Sequence, residues 1–238
     1  MWISGVHVVK EVLKNKPHLA VEVLFCRKDY AVTEIIDQAK TCGIPVKEVS
    51  REDLNRVVGY RRHQGIALKI KAFPYADFDD LMDQPVQEIS PLVLLDGIED
   101  PQNFGSILRS AAFFKAGGVI IPEHRSVSVT DAVSRVSAGA ISMLSVVRVP
   151  NLVNVMKILA DKGFTIVGLD VHAELSIYDS ILHHPVALVV GNEHRGMRRL
   201  VREHCHRIVK IPDGGEMESL NAAVATAVAL AEVFRQNC

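Results

Sequence analysis

The chain has 238 residues, enough for one domain or two, and its 48% hydrophobic and 23% charged residues place it among folding proteins and not disordered ones. A formal net charge of −1 excludes a protein that is basic all over, the simplest footprint of a nucleic-acid binder. That average conceals a division: residues 1–75 carry 13 Lys/Arg against 8 Asp/Glu, residues 76–95 carry five acids and no base, and residues 96–238 carry 14 against 15.

From the N-terminus the apolar pattern alternates between the periods of helix and strand. SGVHVVKEVLKN, opened by Ser4, predicts a helix stopped near Pro17, and VEVLFC predicts a strand. VTEIIDQAKTCG predicts a helix capped at Thr33 and stopped at Gly43. PVKEVS is a short strand, SREDLNRVVG a capped helix, and GIALKIKAF a strand with alternate lysines outward. The acidic stretch with Pro74, Pro85 and Pro91 reads as a linker, and a solvated helix around DFDDLMD is compatible with it. PLVLLDGI then has the continuous apolar run of a buried parallel strand. Helices NFGSILRSAAFFKAG, DAVSRVSAGAIS, NLVNVMKILADKG and GMRRLVREHC alternate with strands GVIIP, SVVRV, FTIVGLD, PVALVVG and RIVKIP, and SLNAAVATAVALAEVFRQ forms the last helix. The expected fold is α/β: a small N-terminal domain over 1–75, an acidic linker over 76–91, and a doubly wound parallel-sheet domain over 92–238.

No apolar run reaches the length of a membrane span, and His7 and Lys10 interrupt the first apolar stretch, against a secretory leader. Cys26, Cys42, Cys205 and Cys238 have neither metal spacing nor disulfide-scaffold density; Cys205 and His206 adjoin but lack a second ligand pair. A reduced, cytoplasmic setting without membrane or metal is therefore the expectation. Ligands of open α/β sheets sit at the carboxyl ends of strands, and three such ends carry unusual polar turns: DGIEDPQNFG, GNEHRGM and IPDGGEMESLN. None is the G-x-G-x-x-G of a dinucleotide site, and no phosphate loop of the G-x-x-x-x-G-K-[ST] type occurs, so a nucleotide-dependent metabolic enzyme loses ground. Read as residues alone, Asn103 is an N-cap, Arg109 a solvated helix arginine on the first turn, Glu193 a first-turn carboxylate and Ser219 a cap.

The three turns resemble those of the SpoU (TrmH-like) branch of the SPOUT methyltransferases, which move a methyl group from S-adenosylmethionine to a ribose 2′-hydroxyl of RNA. Asn103, Gly105, Arg109 and Ala111 match the first motif, Gly191, Glu193 and Gly196 the second, and Ser219, Leu220 and Asn221 the third, over roughly residues 92–235. Residues 1–75, with HQGIAL at 63–68, resemble the family's L30e-like substrate-binding domain. The whole chain is similar to 23S rRNA (guanosine-2′-O)-methyltransferases; tRNA-modifying relatives generally lack the N-terminal domain.

The resemblance implies a C-terminal trefoil knot, a homodimer and an active site shared between subunits. It assigns Arg109, Asn103, Glu193, Ser219 and Asn221 to catalysis, with Glu193 holding Arg109 or Asn103 in register, and the backbone of Gly191, Ile211 and Leu220 to the cofactor, S-adenosylmethionine. A guanidinium stays protonated at any working pH, so Arg109 is better suited to orienting phosphate and ribose and stabilising a nascent alkoxide than to acting as a base. The Ala/Val-rich last helix belongs in the core or at a dimer seam. RNA contacts are expected from Arg61, Arg62, His63 and Gln64, and from Arg195, Arg198, Arg199 and Arg202 along one helix side, with Arg125 and Arg135 as further candidates. A tRNA ribose 2′-O-methyltransferase, an rRNA self-resistance methyltransferase and a catalytically silent RNA-binding relative remain the alternatives; retention of the five motif residues counts against the last.

Overall fold

Runs of β-branched residues and helical apolar periodicities alternate along the chain, and a computed structural model describes residues 1–215 and 219–238. The elements run β1 (Trp2–Ser4), α1 (Val6–Asn15), β2 (Ala20–Phe25), α2 (Tyr30–Thr41), β3 (Val46–Glu48), α3 (Arg51–Val58) and β4 (Ile66–Ile70). They continue with α4 (Phe78–Met82), β5 (Leu92–Asp96), α5 (Pro101–Phe113), β6 (Gly118–Pro122), α6 (Asp131–Val136), β7 (Ser145–Val149), α7 (Leu152–Asp161) and β8 (Thr165–Leu169). Last come β9 (Leu175–Ser176), β10 (Val186–Gly191), α8 (Arg199–Glu203), β11 (Arg207–Lys210) and α9 (Ala222–Gln236). Two compact units result, Met1–Pro74 with Val129–Met143, and Tyr75–Ser128 with Leu144–Cys238.

The first unit holds a four-stranded sheet in the order β1-β4-β2-β3, parallel only between β2 and β3. Val9, Val12 and Leu13 of α1, and Val32, Ile35, Ile36 and Ala39 of α2, bury the i, i+3, i+4 stripe that makes each an amphipathic helix. Several local expectations change here. Three-residue β1 is too short to show alternation, so Ser4 lies in a strand, its Oγ 2.8 Å from the Tyr60 hydroxyl, and does not cap α1. The α1 terminus is capped from a distance, with Val6 N donating to Gln64 Oε1 at 2.8 Å. Asp29 caps α2 by accepting from Val32 N at 2.9 Å, while the Thr33 hydroxyl donates back to the Asp29 carbonyl. In β4 Lys69 alone faces out. Ser50 caps α3 as its position suggests, and Gly59 ends it at φ 85°, where a side chain would be strained. Residues 129–143, read from sequence within the second domain, group with this unit: the Ser134 hydroxyl donates to the Trp2 carbonyl at 3.1 Å.

All strands of the second unit are parallel, in the order β7-β6-β5-β10-β8-β11-β9. Every residue of β5 and β6 is buried, which is why their sequences are unbroken apolar runs. Leu92, Leu94, Ile120, Val147 and Val189 form one core with Leu152, Val155, Met156 and Leu159 of α7, each such side chain contributing about 1.5–3 kcal/mol by leaving water. Leu81 and Met82 of α4 join that core, so the acidic stretch turns its apolar side inward and its carboxylates to solvent. Strands β5, β6 and β7 proceed to one side of the sheet, and β10, β8 and β11 occupy the other. The winding changes direction between β5 and β10, whose last residues Asp96 and Gly191 are register partners. A sheet of this kind offers its binding crevice at that switch point.

Candidate functional site

Three turns supply the crevice. Asp100 caps α5 by accepting from Gln102 N at 3.0 Å, and Pro101 fills the first helical position, where a missing N–H costs nothing. Asn103 is therefore not the cap: it is the third helical residue, and its amide is free for other work. Asn221, not Ser219, caps α9, its Oδ1 accepting from Ala223 N at 2.9 Å and from Val224 N at 3.4 Å. Glu193 lies on a tight turn and not in a helix, the turn being closed by reciprocal Asn192–Gly196 backbone bonds of 3.1 and 2.9 Å.

These side chains join in one chain of hydrogen bonds whose polarity starts at a helix. Capping α9 requires an oxygen from Asn221, which turns its Nδ2 toward Asn103 Oδ1 at 2.8 Å. With its oxygen thus used, Asn103 presents Nδ2 to Glu193 Oε1 at 2.6 Å, a short bond to an ionised acceptor. Glu193 thus holds Asn103, not Arg109. Each member keeps capacity for a ligand: a second N–H on each amide and the second carboxylate oxygen.

Arg109 stands apart from this group. It is the ninth residue of α5, on the third turn and not the first. Six residues separate it from Asn103, so the two side chains leave the helix about 120° apart. Its guanidinium is exposed and has no partner among the described residues. Ser219 and Leu220 are exposed ahead of α9, and Ile211 is half-buried just beyond β11.

The positions assigned to S-adenosylmethionine fit a backbone cradle. Among the described residues Ile211 and Leu220 make no backbone hydrogen bond, leaving donors and acceptors at the sheet's carboxyl edge. Gly191 has a different reason to be glycine: a Cβ there would sit 2.3 Å from Gly196 C and from Met197 N. The turn can fold back on its strand only where no side chain intervenes.

The arginine stripe expected after the second motif does not form. Helix α8 begins at Arg199, so Arg195 sits on the preceding turn, exposed. Arg198 binds Asp96, Arg199 binds Glu203 at 2.8 Å, and Arg202 binds Asp170. Burial pushes the Cys205 thiol up to about 12, and His206 Nδ1 accepts from Ile166 N at 3.1 Å, so this pair is engaged in packing. Among the described residues no group of three His, Cys, Asp or Glu could hold a metal ion, and no helix is long and apolar enough to cross a membrane.

In the first unit Arg61 and Arg62 are exposed, but His63 is only 2% exposed and cannot meet RNA. Its Nδ1 accepts from Gly65 N at 3.1 Å, which fixes Nε2 as the donor to Asn55 Oδ1 at 2.9 Å. Burial lowers the His63 pKa, with Arg51 and Arg27 adding in the same direction. Gln64 is spent on capping α1. His63 and Gln64 thus hold the 59–65 loop in shape while the two arginines project. Sequence reading missed Arg27, whose side chain lies across Gly65, and Arg51; Arg135 lies across Gly59 in the same unit. Their wide separation along the chain gives no signal.

Residues 90–231 match the SpoU rRNA methylase family, and residues 2–76 match the family described as RNA 2′-O ribose methyltransferase substrate binding. A parallel-sheet α/β unit of this kind with an RNA substrate-binding domain defines the class as RNA methyltransferase. The chain belongs to the SpoU rRNA methylase family. It is 44% identical over 238 residues to a protein of Mycolicibacterium smegmatis named as an uncharacterized tRNA/rRNA methyltransferase, covering 98% of this chain and 76% of that one. A namesake from Mycobacterium ulcerans is 44% identical over 237 residues with the same coverage. Among solved structures, the SpoU methyltransferase AviRb of Streptomyces viridochromogenes, crystallised with AdoMet, superposes with a TM-score of 0.73 at 27% identity, over 99% of this chain and 90% of that one.

Proposed function

We propose that the protein methylates the ribose 2′-hydroxyl of a guanosine in large-subunit rRNA, using S-adenosylmethionine. The observation that carries this reading is the Glu193–Asn103–Asn221 chain, assembled from all three family motifs at the switch point of the sheet. Preference for rRNA over tRNA rests on the substrate-binding domain matched over residues 2–76. When bound, the cofactor supplies an activated methyl group, so the protein has to align a hydroxyl, manage its proton and exclude water. In this reading the free N–H groups of Asn103 and Asn221 and the spare oxygen of Glu193 orient the ribose, with Ser219, two residues ahead of Asn221, as a further contact. Arg109 holds the adjacent phosphate and stabilises the charge that develops on the attacking 2′-oxygen as its proton leaves. Its divergence from Asn103 supports a homodimer in which the arginine of one copy serves the site of the other, the knotted C-terminal region completing each site.

The test is incubation with tritiated S-adenosylmethionine and either deproteinised large-subunit rRNA or tRNA, followed by mapping of 2′-O-methyl sites. Label at a guanosine of the rRNA is expected; label in tRNA alone moves the substrate, and label in neither removes the reading. For RNA binding, the exposed Arg61 and Arg62 each stand for one phosphate contact. Changing both to Glu should lower RNA affinity and reduce the slope of log K against log salt by about two. Cofactor affinity should be unchanged, and an unaltered salt slope in filter binding would remove the pair from the interface.

A further inference from the structure

Asp96 ends β5 with its carboxylate fully buried, in a place where a lone charge would be very costly. One residue satisfies both oxygens: Arg198 donates its backbone N to Oδ2 at 2.7 Å and its Nε to Oδ1 at 2.6 Å. Arg198 is thereby fixed in main chain and side chain together, at the point where the second-motif turn enters α8. The start of the same turn is tied next door, where Asn192 Nδ2 donates to the Gly97 carbonyl at 2.8 Å. Asn192 Oδ1 meanwhile accepts from His194 N at 3.0 Å and Arg195 N at 3.2 Å. Both ends of the turn are fastened to residues 96 and 97, and between them Glu193 reaches Asn103. Residues 96 and 97 also begin the loop that leads through the Asp100 cap to Asn103. The result is a closed ring: Asp96 to Arg198, back along the turn to Glu193, across to Asn103, and along the loop to Asp96.

We propose that Asp96 is a positioning residue for methyl transfer, acting through Arg198 to hold the 191–197 turn so that Glu193 stays on Asn103. A flexible turn would leave Glu193 free to follow solvent, and the Asn103 Nδ2 that Asn221 orients would lose its acceptor. The pair, with Asp96 buried and Arg198 half exposed, supplies what an apolar contact of the same volume could not, a direction for the turn as well as its closeness to β5. Arg198 accordingly acts as a structural partner and not as one of a row of phosphate-binding side chains.

The inference rests on reading Glu193 and Asn103 as catalytic, so its test is a mutant cycle on the full chain with a second readout independent of turnover. Asp96→Asn keeps the shape and one acceptor but loses the ion pair with Nε; kcat should fall between about tenfold and a hundredfold, as expected for a misplaced group. KM for RNA should stay within about twofold, because no binding contact is removed. Glu193→Gln alone should lower kcat, and the double variant should be no worse than the weaker single. A multiplicative loss in the double variant, or wild-type kcat in Asp96→Asn, would overturn the proposal. Should Asp96→Asn not fold, Arg198→Gln removes the same Nε bond and closes the same cycle; a raised KM for RNA with unchanged kcat would make Arg198 an RNA contact and overturn the proposal. The Asn103 side-chain amide resonance, assigned with Asn103→Ala, reads the coupling without activity: it should shift in Asp96→Asn, and an unmoved signal refutes the ring. Absence of methyl transfer by the wild-type chain would be a failure of the functional reading, and the amide signal would still decide this one.

Discussion

Arg109→Ala is expected to lower the single-turnover rate of methyl transfer by about a hundred- to a thousandfold, the loss seen when a preorganised group that stabilises developing charge is removed. Affinity for S-adenosylmethionine should be nearly intact, since Arg109 lies about 120° around α5 from the Asn103 face. Arg109→Lys should recover little: an ammonium restores the charge but not the planar fork that meets a phosphate or ribose with two bonds. Mixing Arg109→Ala with Asn103→Ala subunits should restore part of the activity if each arginine serves the neighbouring copy's site. Wild-type turnover in Arg109→Ala would remove it from the mechanism, and failure of the mixture to regain activity would count against a shared site.

Gly191→Ala should weaken cofactor binding for a steric reason. Its Cβ would fall 2.3 Å from Gly196 C and Met197 N, and both are backbone atoms that cannot rotate away. The turn would have to lift off β10, carrying Glu193 away from Asn103. Overpacking of this kind costs about 1–3 kcal/mol, equivalent to a loss of about five- to a hundred-and-fiftyfold in affinity if the cofactor must restore the native turn. The measurement is the rise in Tm on adding S-adenosylmethionine, which should shrink or disappear while the far-ultraviolet spectrum stays native. An undiminished ligand-dependent shift would show that the turn tolerates the methyl group.

Residue patterns made much of the architecture legible. Buried parallel strands such as LVLLD have to be apolar throughout, and α1, α2 and α7 announce themselves by apolar spacing. Motif residues were named through the family resemblance, which the short, characteristic separations within each turn carry. Caps were less legible, since Ser4, Thr33, Asn103 and Ser219 are all competent residue types, and the caps fell instead to distant Gln64 and to nearby Asp29, Asp100 and Asn221. The arginine row failed for a related reason: spacing describes a helix face only where a helix exists, and α8 starts too late to include Arg195.

The amino-acid sequence by itself determined the α/β class and the three-part distribution of charge, and it carried the motif residues by which the family resemblance is recognised. Only the tertiary structure decided how those residues are used. His63 looked like an RNA ligand in a basic run, but Asn55 and Gly65 enclose it. Asp96 looked like the polar end of a strand, yet it binds Arg198 across 102 positions of sequence. Asn103 meets partners 90 and 118 residues away. Propensity and periodicity act over a few residues, whereas the direction of a long-range hydrogen bond is set by whichever distant group the fold brings within about 3 Å.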